Sequence, residues 1–484
     1  MQATSRSPAR REQILLRNLI VAVGLGWSFA FVIVALVYEL QLYADGAMFS
    51  YAAAVQDAWA FHWHNIANRI TVFFLTLWPA ETFIWLTGRP YGGIVVYGFL
   101  FNVAPLIGLG WTFIADRSRN HAIFAFACGS TALLCPLVFG FPTEMWVAHA
   151  LFWPTLALAH YASRSAFGSV TLSIAMAALV LTHAGGVVLA FVIVATLALH
   201  GFRHPLFVRG AVAFFVAMTL WIIVKMVYPP DDYFADVLVR AGLKFFDPAI
   251  FQVNLVVLLT AVLAGYGLLF LALTRIMAVD TALIAATVVT AIALLAYWLQ
   301  FDQWIHASNR YYLRTALVVI TPVFGVLSVF YAMRADGAPP ELLGLPRLSE
   351  ILSSVTATRA YTGAIVLVTA IHVVQTAKFV TDWTAYKTAM RALALGSASD
   401  PALGDPRFVS SQRISPELNQ LSWFSTVEYL SIILSDFKPE RIVVDPAGNY
   451  FWLSCETATE NARAKRSVPV AARDLVRIYS CLHR

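Results

Sequence analysis

Two carboxylates in this sequence lie where long apolar segments begin or end. Asp45 follows an almost entirely apolar run from Asn18 to Leu42, and Glu144 lies in a short turn between two further apolar runs. A carboxylate within hydrogen-bond reach of a hydroxyl group can act as a general base, and a charge beside an apolar segment is costly to keep without a use. We therefore predict Asp45 and Glu144 as catalytic residues at a wet interface. The structural alternative is that each only caps the helix that follows it.

A second set of polar side chains lies at the ends of other apolar segments. Arg310, followed by two tyrosines, opens one such segment, and Arg can bind a phosphate through two parallel hydrogen bonds. Four of these side chains have a structural alternative. His62 and His64 could be interfacial residues, His183 a polar group at a helix break, and Arg310 a snorkelling anchor. The predicted substrate-binding residues are His62, His64, Glu81, His183, Arg240, Lys244, Arg310, Tyr311 and Tyr312.

The two closely spaced histidines do not predict a metal site. His62 and His64 are separated by one residue, and on a helix that spacing points their side chains in two directions. The cysteines lack the spacing of a zinc site. We expect neither a metal ion nor a cofactor.

The composition indicates an integral membrane protein. Hydrophobic residues make up 60% and charged residues 12% of the chain, and the mean hydropathy is +0.72. Soluble domains carry roughly a quarter charged residues. The formal charge of +6 suits loops that face anionic lipid. We expect membrane lipids as partners and no nucleic acid.

Apolar runs of membrane length predict an all-α polytopic fold with about 11 transmembrane helices. The stretch 169–201 is too long for one span and is broken around His183-Ala184-Gly185-Gly186, which predicts two short helices that meet at one membrane face. The other predicted spans are 18–42, 92–114, 121–141, 144–163, 209–228, 252–274, 280–299, 315–334 and 360–378.

The segment 69–89 decides the predicted topology. It is just long enough to cross a membrane, but it contains Pro79 and Glu81. If it lies in the outer interface, residues 42–91 form one long periplasmic loop with interfacial helices, and most arginines fall on the side of the basic N-terminus, 1–17. The positive-inside rule favours this arrangement. The predicted inside arginines are Arg117, Arg119, Arg164, Arg203, Arg209, Arg275, Arg334, Arg347 and Arg359.

With the N-terminus inside and eleven predicted spans, the C-terminus lies outside. The sequence therefore predicts a bacterial inner-membrane protein with a cytoplasmic N-terminus, a transmembrane domain over 18–378 and a periplasmic domain over 379–484. Turn signals and a strand-like Arg441-Ile442-Val443-Val444 predict that this domain is a small α/β unit. In an oxidising compartment its Cys455 and Cys481 could pair, whereas Cys128 and Cys135, in an apolar run, are expected to be packing residues.

This architecture resembles the C-superfamily of integral-membrane glycosyltransferases, which use lipid-phosphate sugar donors. The resemblance covers most of 14–378 as architecture, and as motifs only Tyr43–Phe49 and Asn309–Tyr312. It implies inverting transfer of a sugar from a polyprenyl phosphate to a periplasmic or lipid-linked glycan acceptor. In that mechanism Asp45 is the general base and Arg310 the phosphate clamp, helped by Lys244 or Arg240. Many members have two adjacent acids in the first loop, but Gly46 follows Asp45 here, so a metal-dependent variant is not expected.

Other classes of function remain open. A transporter or flippase for a lipid-linked glycan needs polar residues near the bilayer centre, and the spans offer few besides Lys225 and Asn102. A ligase for a preassembled glycan or phosphoethanolamine would use similar chemistry. A membrane scaffold that acts through its C-terminal domain predicts an unimportant Asp45 and an important tail.

Overall fold

The protein is mostly helical over the residues that its structure, a computed structural model, describes. Within those residues the chain forms 16 α-helices and one small sheet. The described residues are 8–56, 58–59, 69–138, 144–163, 165–228, 254–297, 312–338, 350–352, 354–396, 408–423 and 426–445.

The first ten helices include the long N-terminal helix and the elements around Asp45 and Glu144. A π-helical segment, Phe73–Leu77, joins α3 to α4, so Ile70–Thr87 is one continuous helical stretch. The bounds are α1 Pro8–Val37, α2 Asp45–Ala54, α3 Ile70–Val72, α4 Trp78–Thr87, α5 Pro90–Ala115, α6 Ala122–Val138, α7 Glu144–Tyr161, α8 Ala166–Val180, α9 Ala184–Leu197 and α10 Pro205–Val227.

The remaining helices lead to the C-terminal sheet. Short 3₁₀ turns cover Leu40–Leu42, Ala198–His200 and Ser411–Arg413. The bounds are α11 Asn254–Leu273, α12 Val279–Tyr297, α13 Tyr312–Asp336, α14 Val355–Leu395, β1 Phe408–Ser410, α15 Pro416–Asn419, α16 Val427–Leu434 and β2 Ile442–Val444.

Several of these helices are suited to a membrane. Five stretches within the described ranges are long and apolar enough to span one. Large apolar side chains such as Trp85, Trp111 and Met226 are exposed on them, which a lipid environment explains better than water. The five stretches are Arg11–Val37, Ile70–Thr87, Pro90–Ala115, Pro205–Val227 and Val355–Leu395. Every predicted span coincides with a helix, including the two short helices that meet at His183, but the count of eleven spans stays a prediction.

Arginines gather at one end of the helical bundle, which we call the N-terminal end because α1 begins there. Arg17 of α1 donates a hydrogen bond to the Asn120 carbonyl at 2.7 Å, and Arg359 pairs with Glu12. Four of the arginines predicted to lie on the side of the N-terminus, Arg119, Arg209, Arg334 and Arg359, thus have contacts at this end. The arginines with contacts at this end are Arg17, Arg119, Arg209, Arg334 and Arg359.

The helical stretch 70–87 does not run the length of the bundle. The opposite, distal end is where α7 begins at Glu144, because the far end of α7, Tyr161, bonds to Asp336 at the N-terminal end. Arg69 pairs with Glu144, so the stretch begins at the distal end. It also finishes on that side, since α5 starts at Pro90 and needs its 26 residues, about 39 Å, to reach the N-terminal end. That 69–89 does not cross a membrane stays a prediction, because this stretch is also one of the five that are long and apolar enough to span one.

Glycines allow the helices to approach closely. A Cβ atom on Gly24 of α1 would lie 2.4 Å from the Cys128 carbonyl oxygen of α6, and one on Gly108 of α5 would lie 2.3 Å from the Ala150 carbonyl oxygen of α7. Small residues at helix contacts are typical of membrane proteins. Cys128 and Cys135 are buried, which confirms their predicted packing role.

The long helix α14 joins the bundle to the C-terminal unit. Its 41 residues extend about 60 Å, and the Trp383 indole donates to the Tyr38 carbonyl just past the end of α1. The boundary proposed at residue 379 therefore falls inside a continuous helix. Beyond it, β1 and β2 pair in parallel, and β2 lies where the sequence predicted a strand. Cys455 and Cys481 lie outside the described residues.

Candidate functional site

Asp45 is the first residue of α2 and is buried, with 5% of its surface exposed. The sequence predicts a wet location, and the structure corrects this, because the turn before α2 is packed against α5. The N-cap position of α2 is occupied by Ala44, which makes no side-chain capping bond, and not by Asp45 as the structural alternative supposed. Ala44 has φ +52°, a region that residues other than glycine rarely adopt. The backbone is thus bent sharply where it delivers this carboxylate.

Gly98 explains how the Asp45 turn reaches α5. A Cβ atom at Gly98 would lie 2.6 Å from the side-chain carbon Cδ of Gln41. The missing side chain lets the 3₁₀ turn Leu40–Leu42 lie directly on α5. One residue earlier on α5 is Tyr97, which is buried.

Glu144 and Arg69 form a buried ion pair. Only 1% of the Glu144 side chain and 4% of the Arg69 side chain are exposed. Glu144 is the first residue of α7, where the helix dipole favours an anion. Thr71 fixes the position of Arg69, because its hydroxyl donates to the Ala178 carbonyl of α8 at 2.7 Å. The pair therefore joins the start of the 70–87 stretch to the start of α7.

Tyr97 brings these groups into one cluster. Asp45, Glu144 and Arg69 all lie close enough to Tyr97 to interact with it electrostatically. A buried phenol hydroxyl usually finds a hydrogen-bond partner, so Tyr97 is suited to orient a carboxylate or a substrate group. Neither Tyr97 nor Arg69 was predicted as a site residue. An aromatic residue in an apolar run reads as packing, and no sequence signal separates Tyr97 from its neighbours.

Lys225 adds a second cation near this cluster. It lies close to the C-terminus of α10 and interacts electrostatically with Arg69. Its ammonium lies 5.4 Å from the centre of the Trp221 ring, in a cation–π contact. The end of α10 is tied to the rest of the distal end by Tyr228, whose ring lies 5.6 Å from that of Trp59.

Glu81 and His183 have structural contacts in this region. The Glu81 carboxylate accepts a hydrogen bond from the Ala58 amide at 2.7 Å. His183 is the N-cap of α9, and its Nδ1 accepts from the Gly185 amide at 3.0 Å. The alternative in which His183 is a satisfied polar group at a helix break is therefore present in the structure. Substrate binding by either residue stays a prediction.

The other predicted residues are placed only in part. Tyr312 begins α13, and α13 starts at the distal end because its last residue, Asp336, lies at the N-terminal end. The side chain of Tyr312 lies outside the described part of the structure. So do His62, His64, Arg240, Lys244, Arg310 and Tyr311.

A histidine close to Glu144 in the chain is part of the core. His149 follows Glu144 by five residues in α7 and is fully buried. Its two ring nitrogens bond to the hydroxyls of Thr131, at 3.0 Å, and Thr321, at 2.9 Å. The ring thus links α6, α7 and α13, and we assign it a structural role.

The distal cluster can support proton transfer next to an anion site. Glu144 lies in an ion pair with Arg69, and Asp45 is the buried carboxylate at the first residue of α2, which we take as the candidate general base. Two anions, Asp45 and Glu144, balance two cations, Arg69 and Lys225, among the described side chains of the cluster. A bound phosphate would bring further negative charge, so its site needs at least one more cation.

Comparison of the sequence with protein-family models and with curated proteins finds no match. The function proposed below therefore rests on the chemistry of this cluster.

Proposed function

We propose that this protein is an integral-membrane glycosyltransferase that transfers a sugar, with inversion, from a polyprenyl phosphate to a periplasmic or lipid-linked acceptor. The observation that carries the proposal is the buried carboxylate of Asp45 in one cluster with Tyr97 and the Arg69–Glu144 pair. In this proposal about eleven helices span the bacterial inner membrane, the N-terminus is cytoplasmic, and the distal end faces the periplasm.

The reaction requires a base on the acceptor. A sugar hydroxyl is a weak nucleophile, so Asp45 would take its proton while the hydroxyl oxygen forms a bond to the anomeric carbon of the donor. The bond between that carbon and the phosphate oxygen breaks, and the polyprenyl phosphate leaves with the electron pair. Attack from the face opposite the leaving group inverts the anomeric configuration. Asp45 is buried at the start of α2, which restricts the orientations that its carboxylate can take.

The leaving phosphate requires cations. Arg69 and Lys225 are the described cations of the cluster, but Glu144 already offsets one of their positive charges. The predicted clamp at Arg310, with Lys244 or Arg240, would supply the charge that the described cluster lacks. Guanidinium groups suit this role because they bind phosphate oxygens two at a time.

The location of the cluster suits a lipid-linked donor. Asp45 lies where α1 ends, and the stretch 70–87 and α10 expose large apolar side chains beside it, among them Trp78 and Met226. A polyprenyl chain could remain in the bilayer against such surfaces while its phosphate reaches the cluster. A soluble donor would have no need of them.

The test is a turnover assay with the purified full-length protein in liposomes. The substrate is a polyprenyl-phosphate sugar, and the readout is release of polyprenyl phosphate in the presence of an acceptor. Asp45→Asn keeps the size of the side chain and removes its basicity, so turnover should fall by roughly 10²–10⁴-fold. Asp382→Asn is the matched control, because Asp382 forms a partly exposed pair with Lys378, worth little to stability.

The assay also separates the alternatives. A flippase would move the donor across the bilayer without releasing polyprenyl phosphate, and a scaffold would show no turnover at all. Because Asp45 is buried, thermal unfolding of both variants must accompany the assay. Near-normal turnover by a folded Asp45→Asn protein would exclude Asp45 as the base and would turn attention to Glu81 and Glu144.

A further inference from the structure

A cavity of about 590 Å³ opens at the N-terminal end of the bundle, far from the distal cluster. It lies between α1, the turn before α6, α13 and the start of α14. Its size falls in the range of small-molecule sites, roughly 300–1,000 Å³. Three arginines line it: Arg17, Arg119 and Arg334.

The cavity combines a basic rim with an apolar floor. Arg119 and Arg334 are exposed, whereas Ile20, Ala125 and Phe126, which also line it, are buried. None of the described residues that line the cavity is acidic. The lining thus offers positive charge at the surface and hydrocarbon contact below.

Neutral groups hold the deepest of the three arginines. Arg17 donates to the Asn120 carbonyl at 2.7 Å and to the Asn18 side-chain oxygen at 3.0 Å. Neither partner carries a charge, so the guanidinium is oriented without being neutralised by these bonds.

Nearby acids reduce the charge of the rim only in part. Glu350 accepts from Arg334 through its backbone carbonyl at 2.9 Å, and its carboxylate lies 4.0 Å from the same guanidinium. Asp336 accepts from the backbone amide of Arg119, not from its side chain.

A helix N-terminus adds to the positive potential of the cavity. The long helix α14 begins beside the cavity, and its N-cap, Ser354, is one of the lining residues. The first amides of a helix carry partial positive charge and favour an anion. The Ser354 hydroxyl accepts from the Ala357 amide, which fixes this terminus in place.

We propose that this cavity binds an anionic phospholipid, with its phosphodiester at the three arginines and an acyl chain along Ile20 and Phe126. Basic pockets between membrane helices are suited to lipid head groups. The site is separate from the proposed glycosyl transfer and does not depend on it. A soluble phosphate ester could bind the same three arginines. It would make no contact with the apolar floor, and the floor therefore favours the lipid.

Native mass spectrometry of the full-length protein in detergent micelles tests this proposal by titration with phosphatidylglycerol or phosphatidylcholine. Arg119→Gln/Arg334→Gln should weaken phosphatidylglycerol binding by about tenfold, less than two fully effective charges would give, because solvent and Glu350 screen them. Phosphatidylcholine binding should be weak in both proteins. Arg203→Gln/Arg275→Gln removes two exposed arginines outside the cavity and should leave phosphatidylglycerol binding unchanged.

Three results would overturn the proposal. Equal losses in the two double variants would mean that overall charge, and not the cavity, attracts the lipid. Displacement of phosphatidylglycerol by millimolar glycerol phosphate would mean that the cavity is a site for soluble anions. If the cavity variant does not fold, the single Arg119→Gln substitution on an exposed side chain should still weaken binding by about threefold, and an unchanged affinity would count against the site.

Discussion

Glu428 makes the stability of the C-terminal unit dependent on pH. It is the second residue of α16 and is fully buried. Among the described residues, no other side chain donates a hydrogen bond to either oxygen of the Glu428 carboxylate. Burial raises the pKa of Glu428 from its ordinary 4.5 to about 8, and the negative charge of Asp445 contributes to the increase. The folded protein therefore holds this carboxyl in its neutral form at pH 7.

The sign of the effect follows from the two pKa values. Below pH 4.5 the carboxyl is protonated in both the folded and the unfolded chain, and its contribution is fully retained. As the pH rises towards 8, the unfolded chain loses the proton while the folded chain keeps it, so the free energy of unfolding falls. Each pH unit between the two pKa values is worth about 1.4 kcal/mol, which gives a total loss of about 5 kcal/mol.

Glu428→Gln should abolish this dependence, because the amide has a similar shape and does not ionise. Pulse proteolysis of the C-terminal unit at pH 5, 6.5 and 8 would measure its unfolding free energy in the full-length protein. We expect the wild-type value to fall by about 4 kcal/mol across this range and the variant value to stay nearly constant. Glu440→Gln is the matched control, since Glu440 is exposed in the same unit. Its free energy of unfolding should depend on pH as in the wild type.

If the free energy of unfolding changed with pH by the same slope in wild type and in Glu428→Gln, the reasoning would be refuted. Glu428 would then already be ionised in the folded protein. A slope lost in both variants would point to a general charge effect in the unit. Only a slope removed at Glu428 alone fits a buried neutral carboxyl.

Three other outcomes are expected. Glu144→Gln removes the negative member of the buried pair with Arg69, so chemical unfolding should show a loss of about 3–5 kcal/mol; a loss below 1 kcal/mol would mean that solvent or another group compensates the Arg69 charge. Gly108→Ala places a methyl group against a backbone carbonyl of α7 and should lower the melting temperature, whereas Gly110→Ala, with open space around it, should leave it unchanged or raise it, as helix propensity favours Ala. Arg310→Lys should weaken donor binding if Arg310 is a phosphate clamp, because Lys lacks the planar fork; equal donor affinity would support the anchor alternative.

The sequence predicted the helices well because long apolar runs leave few other structures possible. The break at His183 could also be predicted, since two glycines follow a polar residue in an apolar stretch. The end of α14 could not. Hydropathy falls after Lys378, but the helix continues to Leu395, because polar residues with good helix propensity, such as Lys387 and Arg391, extend a helix beyond its apolar part.

The candidate site was predictable only in its separate parts. Asp45 and Glu144 could be found because carboxylates are rare in apolar surroundings. Arg69 pairs with Glu144 across 75 residues, and a single sequence carries no record of such a long-range contact. Glu428 was missed for the same reason, since it is buried only when α16 packs against α2, α14 and the sheet.

The way α2 is held bears on the choice between an enzyme and a scaffold. Just before Asp45, the Tyr43 ring lies 5.5 Å from that of Trp383 on α14. Further along α2, the Tyr51 ring lies 5.1 Å from that of Tyr429 on α16. The helix that carries the proposed base is therefore packed against both C-terminal elements.

Deleting the C-terminal unit would therefore not distinguish the two hypotheses. Removal of α16 would take away the packing of Tyr51 and loosen α2, and activity would fall even if no group in the tail touches a substrate. A scaffold would lose its partner site in the same deletion. Point substitutions separate the two, because Asp45→Asn leaves the contacts of Tyr43 and Tyr51 intact. Loss of turnover in that variant, with the C-terminal unit folded, is the result that only an enzyme with its base on α2 would give.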